Sequence, residues 1–316
     1  MLVFEGVWEV PKDFGPTAVT IGKFDGVHAG HRQVLADLGA AADEQGLLAT
    51  VVTFDRNPLS LLNPQKCPEA LASNAKKLEL LEAAGVGATL VLAFDREFSE
   101  QSPEDFVSSV LVEALHARVV FVGADFRFGA RGSGTVALLN ELGSRFGFEV
   151  RQIPEFVAGD TEPRRASSTW VRQLLDEGDV AGAAVPLGRR HSIRSVVVHG
   201  EQRGRALGYP TANLSPELEG FIPRDGVYAA WASVGGQRYG AAVSVGNNPT
   251  FEGVAQKQVE AHLLDQSLDL YGAVLELEFV DYVRPMVRFD SADDLAAQMR
   301  SDEREIRAIL GVPAPA

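Results

Sequence analysis

The feature that most constrains this chain is a change in hydrophobic period near residue 188. Before it, short β-branched runs alternate with segments of helical spacing. Thr17–Ile21, Leu48–Phe54, Thr89–Phe94, Arg118–Val122 and Phe148–Ile153 read as strands. Between them His31–Gln45, Ser73–Ala84 (with Leu78 and Leu81 on one face) and Thr135–Phe146 read as helices. Another helix starts at Ser102-Pro103-Glu104-Asp105, where a capping hydroxyl, a proline and two acids suit the positive end of a helix dipole. Such alternation builds a doubly wound parallel sheet covered on both faces, which takes ligands beyond the carboxyl ends of its strands. Helices Ser168–Glu177 and Asp179–Leu187 end this half. After Gly188 the pattern changes. Ser192–Val198, Val227–Val234, Arg238–Val245, Lys257–Leu264 and Val274–Asp281 read as strands, Gly235-Gly236 as a hairpin turn, and Ala292–Leu310 as one amphipathic helix. This pattern implies an antiparallel barrel or sandwich with a terminal helix. The expected organisation is an α/β domain over 1–187 and a mostly β domain over 188–316.

Charge and composition exclude several function classes. Of 316 residues, 29 are Lys or Arg and 43 are Asp or Glu, a net charge of −14 that disfavours nonspecific nucleic-acid binding. No run of 18 apolar residues reads as a membrane span, and Met1–Phe14 lacks the basic start of a secretory signal. The single cysteine, Cys67, leaves no internal disulfide and fits a cytoplasmic setting. Weak self-association is the only oligomeric expectation. The basic residues are 23 Arg and six Lys, and twelve of the Arg lie between Arg127 and Arg205, where there is no Lys. Forked guanidinium donors suit phosphate oxygens, although high-GC codon usage produces the same bias.

Two segments carry the chemistry. Gly22-Lys23-Phe24-Asp25-Gly26-Val27-His28-Ala29-Gly30-His31 lies between the first strand and the first helix. Its glycines allow a tight turn, the adjoining helix start favours anions, and two histidines three residues apart can donate to charge developing on a phosphate. A metal pair would need a third ligand that no nearby Cys or His supplies. The second segment, His199 to Asn213, spaces Gly200, Gly204 and Gly208 by four and ends in Tyr209-Pro210-Thr211-Ala212-Asn213. It reads either as a solvated loop or as a phosphate cradle with Arg203 or Arg205 nearby, and its hydroxyl and amide oxygens suit Mg²⁺ on a nucleotide.

Taken together these stretches resemble the bacterial bifunctional riboflavin kinase/FAD synthetase family. The first half carries G-x-F-D-G-V-H-x-G-H at Gly22–His31, G-x-D/N-F-x-F-G at Gly123-Ala124-Asp125-Phe126-Arg127-Phe128-Gly129, and S-S-T-x-x-R at Ser167–Arg172, preceded by Arg165. The second carries R-G-R-x-L-G-F-P-T-A-N at Arg203–Asn213 with Tyr209 for Phe, then Asp225-Gly226-Val227-Tyr228, Ser244–Phe251 and Val259-Glu260-Ala261-His262. The resemblance implies a nucleotidylyl-transferase α/β domain and a six-stranded riboflavin-kinase barrel. The reactions it implies are riboflavin to FMN with ATP in the second domain, and FMN to FAD with release of pyrophosphate in the first. It also implies roles. His28 and His31 stabilise the triphosphate, while Gly22, Phe24, Gly30, Arg165, Ser168, Thr169 and Arg172 bind ATP or its phosphates. Phe54, Asp125, Phe126, Phe128 and Tyr228 face flavin. Gly200, Arg203 and Arg205 cradle the kinase phosphates, Thr211 and Asn213 hold Mg²⁺, and Glu260 is the general base. Glu260 alternates with Val259, Ala261 and Leu263, so it faces away from the apolar side of its strand. Ser168 and Thr169 also read as plain helix caps, isolated Phe residues as core, and Gly129–Gly134 as a mobile loop.

The chain departs from the family at one turn, reading Phe54-Asp55-Arg56-Asn57-Pro58 where F-D-P-H-P is usual. The expectation is altered geometry with activity kept; the alternative is a chain in which only the kinase site is fully active. A non-catalytic flavin-binding protein would have little need for His28, His31, Thr211, Asn213 and Glu260. A cytidylyltransferase on the same fold would not explain the kinase-like half.

Overall fold

The structure is a computed structural model that describes residues 1–159, 164–200, 209–247 and 257–314. The chain divides into two compact units, Met1–Ala166 and Ser167–Ala316.

The first unit is a six-stranded parallel sheet of β1 (Leu2–Phe4), β2 (Thr17–Ile21), β3 (Leu48–Phe54), β4 (Ala88–Leu92), β5 (Ala117–Gly123) and β6 (Glu149–Ile153), in the order β1-β4-β3-β2-β5-β6. Its helices are α1 (Ala29–Gln45), α2 (Pro58–Leu62), α3 (Asn74–Ala83), α4 (Arg96–Glu100), α5 (Pro103–Phe106) and α6 (Val136–Phe146), with a π-helical segment, Val107–Ala114, continuing α5. Alternate residues of each strand enter opposite cores. Val19, Val52, Val120 and Val122 pack with Leu111 and Leu139, whereas Ala18, Val51, Val119 and Phe121 pack with Leu35 and Leu81. A strand buried on both faces reads as an unbroken apolar run, which explains why these strands were plain in the sequence. The strand order reverses between β2 and β5. The loops after these two strands, Gly22–Gly30 and Gly123–Gly129, therefore leave the same edge of the sheet on either side of the switch point, the position open α/β sheets use for ligands. A two-stranded ribbon, β7 (Val157–Ala158) with β8 (Arg164–Arg165), ends the unit.

The second unit starts with α7 (Ser168–Glu177) and α8 (Val180–Leu187). A closed antiparallel barrel follows, built from β9 (Ser192–Val198), β10 (Ala212–Leu214), β11 (Gly226–Val234), β12 (Gln237–Asn247), β13 (Lys257–Leu263) and β14 (Val274–Arg284), in the order β10-β13-β12-β11-β14-β9. Gly235 and Gly236, both at positive φ, turn β11 into β12. The five strands read from pattern are all present, and β10 is the sixth. Helix α9 (Ala292–Leu310) covers β11, β12 and β14, with Ile306 buried against Val227 and Ala229. Two arginines fasten it. Arg284 donates to both carboxylate oxygens of Asp302 at 2.7–3.1 Å, and the buried Arg307 engages Asp265, Glu303 and the carbonyl of Pro313.

Two local details add to the pattern. The buried face of α3 is Lys77 and Leu81, with Leu78 only half-buried. Gly129–Gly134, expected as a mobile loop, is a closed turn in which Phe128 and Gly134 exchange backbone hydrogen bonds of 3.3 and 2.8 Å.

Candidate active sites

In the first unit, β2 ends at Ile21 and the chain turns at once into the histidine segment. Val52 accepts the Gly22 N–H at 3.0 Å, Thr53 Oγ1 donates to the Lys23 carbonyl at 3.2 Å, and Asp25 Oδ1 accepts the Leu71 N–H at 2.8 Å. Held this way, Phe24, Gly26 and Val27 all take positive φ, of 49°, 75° and 38°. For a β-branched residue such as Val27 this is costly, and such strain concentrates at functional turns. The turn delivers His28 as the N-cap of α1, and its Nδ1 accepts the His31 N–H at 3.3 Å. That contact leaves Nε2 of a neutral His28 to carry the donor proton. The His28 and His31 rings stack with centroids 3.6 Å apart, over the ring of buried Phe24, 4.9 Å from His31. A Cβ on Gly30 would come within 3.2 Å of the His28 ring, so glycine here leaves that ring undisturbed. Burial first, and then the neighbouring His28, which would repel a second positive charge, push the His31 pKa well below its ordinary value, so His31 is neutral at pH 7. Its Nδ1 is buried without a hydrogen-bond partner among the described residues.

At the same edge of the sheet lies a cavity of about 760 Å³. Phe54, Phe94, Phe98, Phe106, Phe126 and Phe128 line it and form a chain of ring contacts between 5.5 and 6.1 Å, with Phe126 and Phe128 stacked. Gly22 and Asp125 also line it, so four expected flavin residues of this half share one wall. Exposed Lys23, Arg96, Arg127 and Arg131 lie around it, and none makes an ion pair among the described residues. Phe94, Phe98, Phe106, Arg96 and Arg131 belong to none of the motifs named above and come together only in the fold. At the departing turn, Asn57 caps α2 by accepting the Leu59 N–H at 3.1 Å, and Arg56 pairs with Asp55. Asp55 also accepts the Phe94 N–H at 2.8 Å, so the altered turn is ordered around the cavity wall. Arg165 pairs with Glu155 at 2.6 Å and Asp125 at 3.7 Å.

The second unit holds the rest. Ser167 caps α7 by accepting the Trp170 N–H at 3.2 Å. Ser168 and Thr169 therefore occupy the first helical turn, where backbone N–H groups have no partner within the helix, with Arg172 one turn on. In the barrel, Asn213 lies directly opposite Glu260 across β10 and β13. Thr211 Oγ1 donates to Glu260 Oε2 at 3.3 Å. A Cβ on Gly200 would come within 2.3–2.5 Å of the Asn213 amide, so a larger residue there would push that amide aside. His262 is anchored by the Pro210 carbonyl at 2.8 Å. Tyr228 sits in the barrel core, fully buried against Phe279 and Tyr282, and its hydroxyl donates to the Arg224 carbonyl; its described surroundings are those of packing. Arg203 and Arg205 lie outside the described residues.

The FAD synthetase family model matches residues 10–169, and the riboflavin kinase family model matches residues 187–310. The bifunctional riboflavin kinase/FMN adenylyltransferase of Escherichia coli (strain K12) is 38% identical over 299 residues, covering 94% of each chain. The chain belongs to the bifunctional riboflavin kinase/FMN adenylyltransferase family. The Haemophilus influenzae member is 35% identical over 98% of this chain and 99% of its own. A solved structure described as a macrolide-efflux protein from Streptococcus pneumoniae superposes with a TM-score of 0.86 at 30% identity, covering 97% of this chain and 98% of that one. Among the described residues no helix is long and apolar enough to cross a membrane. Both enzymatic halves of the family are present, and nothing in these comparisons supports a chain limited to the kinase.

Proposed function

We propose that the barrel cluster phosphorylates riboflavin and that the histidine turn with its aromatic cavity adenylylates the FMN produced. The observation that carries the first assignment is the pairing of Asn213 with Glu260, within reach of Thr211. Glu260 takes the proton of the riboflavin 5′-hydroxyl as its oxygen attacks the γ-phosphorus of ATP, and ADP leaves. Thr211 and Asn213 supply hard oxygen donors beside the Glu260 carboxylate, a donor set suited to Mg²⁺. When bound with ATP, Mg²⁺ would neutralise phosphate charge there. The Gly200 backbone lies beside this cluster.

In the adenylylation, a phosphate oxygen of FMN attacks the α-phosphorus of ATP and pyrophosphate leaves. The isoalloxazine occupies the Phe-lined cavity, with Asp125, Phe126 and Phe128 on its wall. His28 donates from Nε2 to the transferring phosphoryl oxygens, and His31, stacked on it with a buried unpartnered Nδ1, is assigned to the same charge. Ser168, Thr169 and Arg172 are assigned the leaving phosphates on the strength of a helix start carrying hydroxyls and a guanidinium. Arg165, already paired with two carboxylates, is assigned to the same phosphates. We place the functional boundary at 187/188, supported by the start of the kinase match at 187. A single cysteine supports a cytoplasmic enzyme.

The experiment supplies riboflavin, ATP and Mg²⁺ to the purified protein and follows flavins by chromatography. FMN, then FAD, is expected. Glu260→Gln should stop FMN formation and leave FMN-to-FAD conversion intact, and the His28→Ala/His31→Ala double variant should do the reverse. Loss of both activities from either change, or no flavin turnover at all, defeats the two-site reading.

A further inference from the structure

One buried cation in the first unit has no part in the chemistry above. Lys77 lies on α3 with only 6% of its surface exposed. Its Nζ donates to the Phe54 carbonyl at 2.7 Å. The charged groups that face it are Asp25, from the turn that leads to His28, and Asp55, from the end of β3. Each of these is itself a tether. Asp25 accepts the Leu71 N–H, and Asp55 accepts the Phe94 N–H, both at 2.8 Å. Phe54 and Phe94 are neighbouring walls of the cavity, with ring centroids 5.6 Å apart. A single ammonium thus holds the carboxyl end of β3 by a hydrogen bond and lies in the field of one carboxylate from the histidine turn and of another, Asp55, that tethers the chain beyond β4. Burying a cation is expensive, and an apolar side chain would fill the same space beside Leu81 at lower cost. A charge kept there at that cost has work that an apolar residue could not do.

We propose that Lys77 is a positioning residue for adenylyl transfer, holding the Phe54–Phe94 wall of the cavity in register with the turn that presents His28. The proposal rests on the first unit being the adenylylation site. Burial outweighs the two carboxylates and lowers the Lys77 pKa to about 8. Loss of its proton therefore removes the counter-charge of Asp25 and Asp55 just above neutrality, and the wall loosens as pH rises.

The test compares Lys77→Met and Lys77→Arg with the wild-type chain at several pH values between about 6.5 and 9.5, bracketing that pKa. Adenylylation of supplied FMN is measured, with riboflavin phosphorylation by the same preparation as control. In Lys77→Met the KM for FMN should rise about tenfold or more, the scale of one hydrogen bond to a charged group. The KM for ATP and the kinase activity should stay within about twofold, well under that scale. Wild type should show a rise in the KM for FMN near pH 8 that both variants lack, a signature that a purely structural lysine would not produce. Should Lys77→Met fail to fold, Lys77→Arg, whose charge persists, decides by the same pH break. A wild-type KM for FMN in Lys77→Met, or an unchanged break in Lys77→Arg, overturns the proposal. Its failure is separable from that of the site assignment, because the latter is decided by the His28/His31 double variant.

Discussion

Gly200 offers a sharp test of the kinase site. A methyl group added there would lie 2.3 Å from Asn213 Cγ, 2.4 Å from Nδ2 and 2.5 Å from Oδ1. Carbon contacts settle near about 3.5–4.0 Å, so the amide must retreat by roughly 1 Å or more. The amide is the end of a rotatable side chain, so Gly200→Ala is absorbed mainly by turning Asn213 off its favoured rotamer. That costs about 0.5–1.5 kcal/mol, a shift of a few degrees in the melting temperature of a unit this size. Catalysis has less tolerance. A misplacement of about 1 Å in a group that positions substrate costs on the order of a hundredfold in rate. Gly200→Ala should therefore convert riboflavin to FMN about a hundredfold more slowly, melt within a few degrees of wild type, and adenylylate supplied FMN at the normal rate. Chromatography of the two flavin products and a thermal melt suffice. Kinase activity within about threefold of wild type would refute the reasoning, because Asn213 would then be either indifferent to the contact or unnecessary.

Other expectations follow from buried charges and the cavity. His191 is buried with Nε2 against the Phe221 carbonyl at 2.6 Å, and burial holds its pKa down at about 4. The unfolded chain, with an ordinary His pKa of about 6.5, binds the proton first, so stability is full above about pH 6.5 and falls towards pH 4 by on the order of 3 kcal/mol. His191→Phe should flatten that slope in melts of the barrel, and an unchanged slope would rule His191 out as its source. Asp302→Ala strands a largely buried Arg284 guanidinium and should cost about 3–5 kcal/mol in urea unfolding, with a loss below about 1 kcal/mol contradicting the ion-pair account. Replacing Arg127 and Arg131 by Gln should raise the KM for FMN roughly threefold each at low salt, with the effect shrinking as salt is added; a salt-independent effect would point to packing instead.

Most of the architecture was legible because the decisive strands are buried on both faces and carry continuous β-branched runs, as in Thr17–Ile21 and Leu48–Phe54. The misses have local causes. Leu2–Phe4 is a three-residue edge strand, too short to show a period, and exists because β4 offers it a parallel partner. Ala212–Leu214 is equally short and is made a strand by β9 and β13 on either side. Lys77 was invisible because a lysine beside leucines normally belongs to the solvated face, and only the Phe54 carbonyl and two carboxylates give it a buried place. In the sites, His28, His31, Asn213 and Glu260 were readable through their motifs. Phe94, Phe98 and Phe106 reach the cavity from separate segments that only the folded sheet edge brings together.

The aromatic wall has an optical consequence. Among the described residues, all six rings that line it are phenylalanine, with neither tyrosine nor tryptophan beside them. Tyrosine and tryptophan quench excited flavins by giving up an electron, which phenylalanine resists. A flavin seated there, as proposed, would not lose its emission to such side chains, so occupancy of the cavity should be readable as light from the ligand itself.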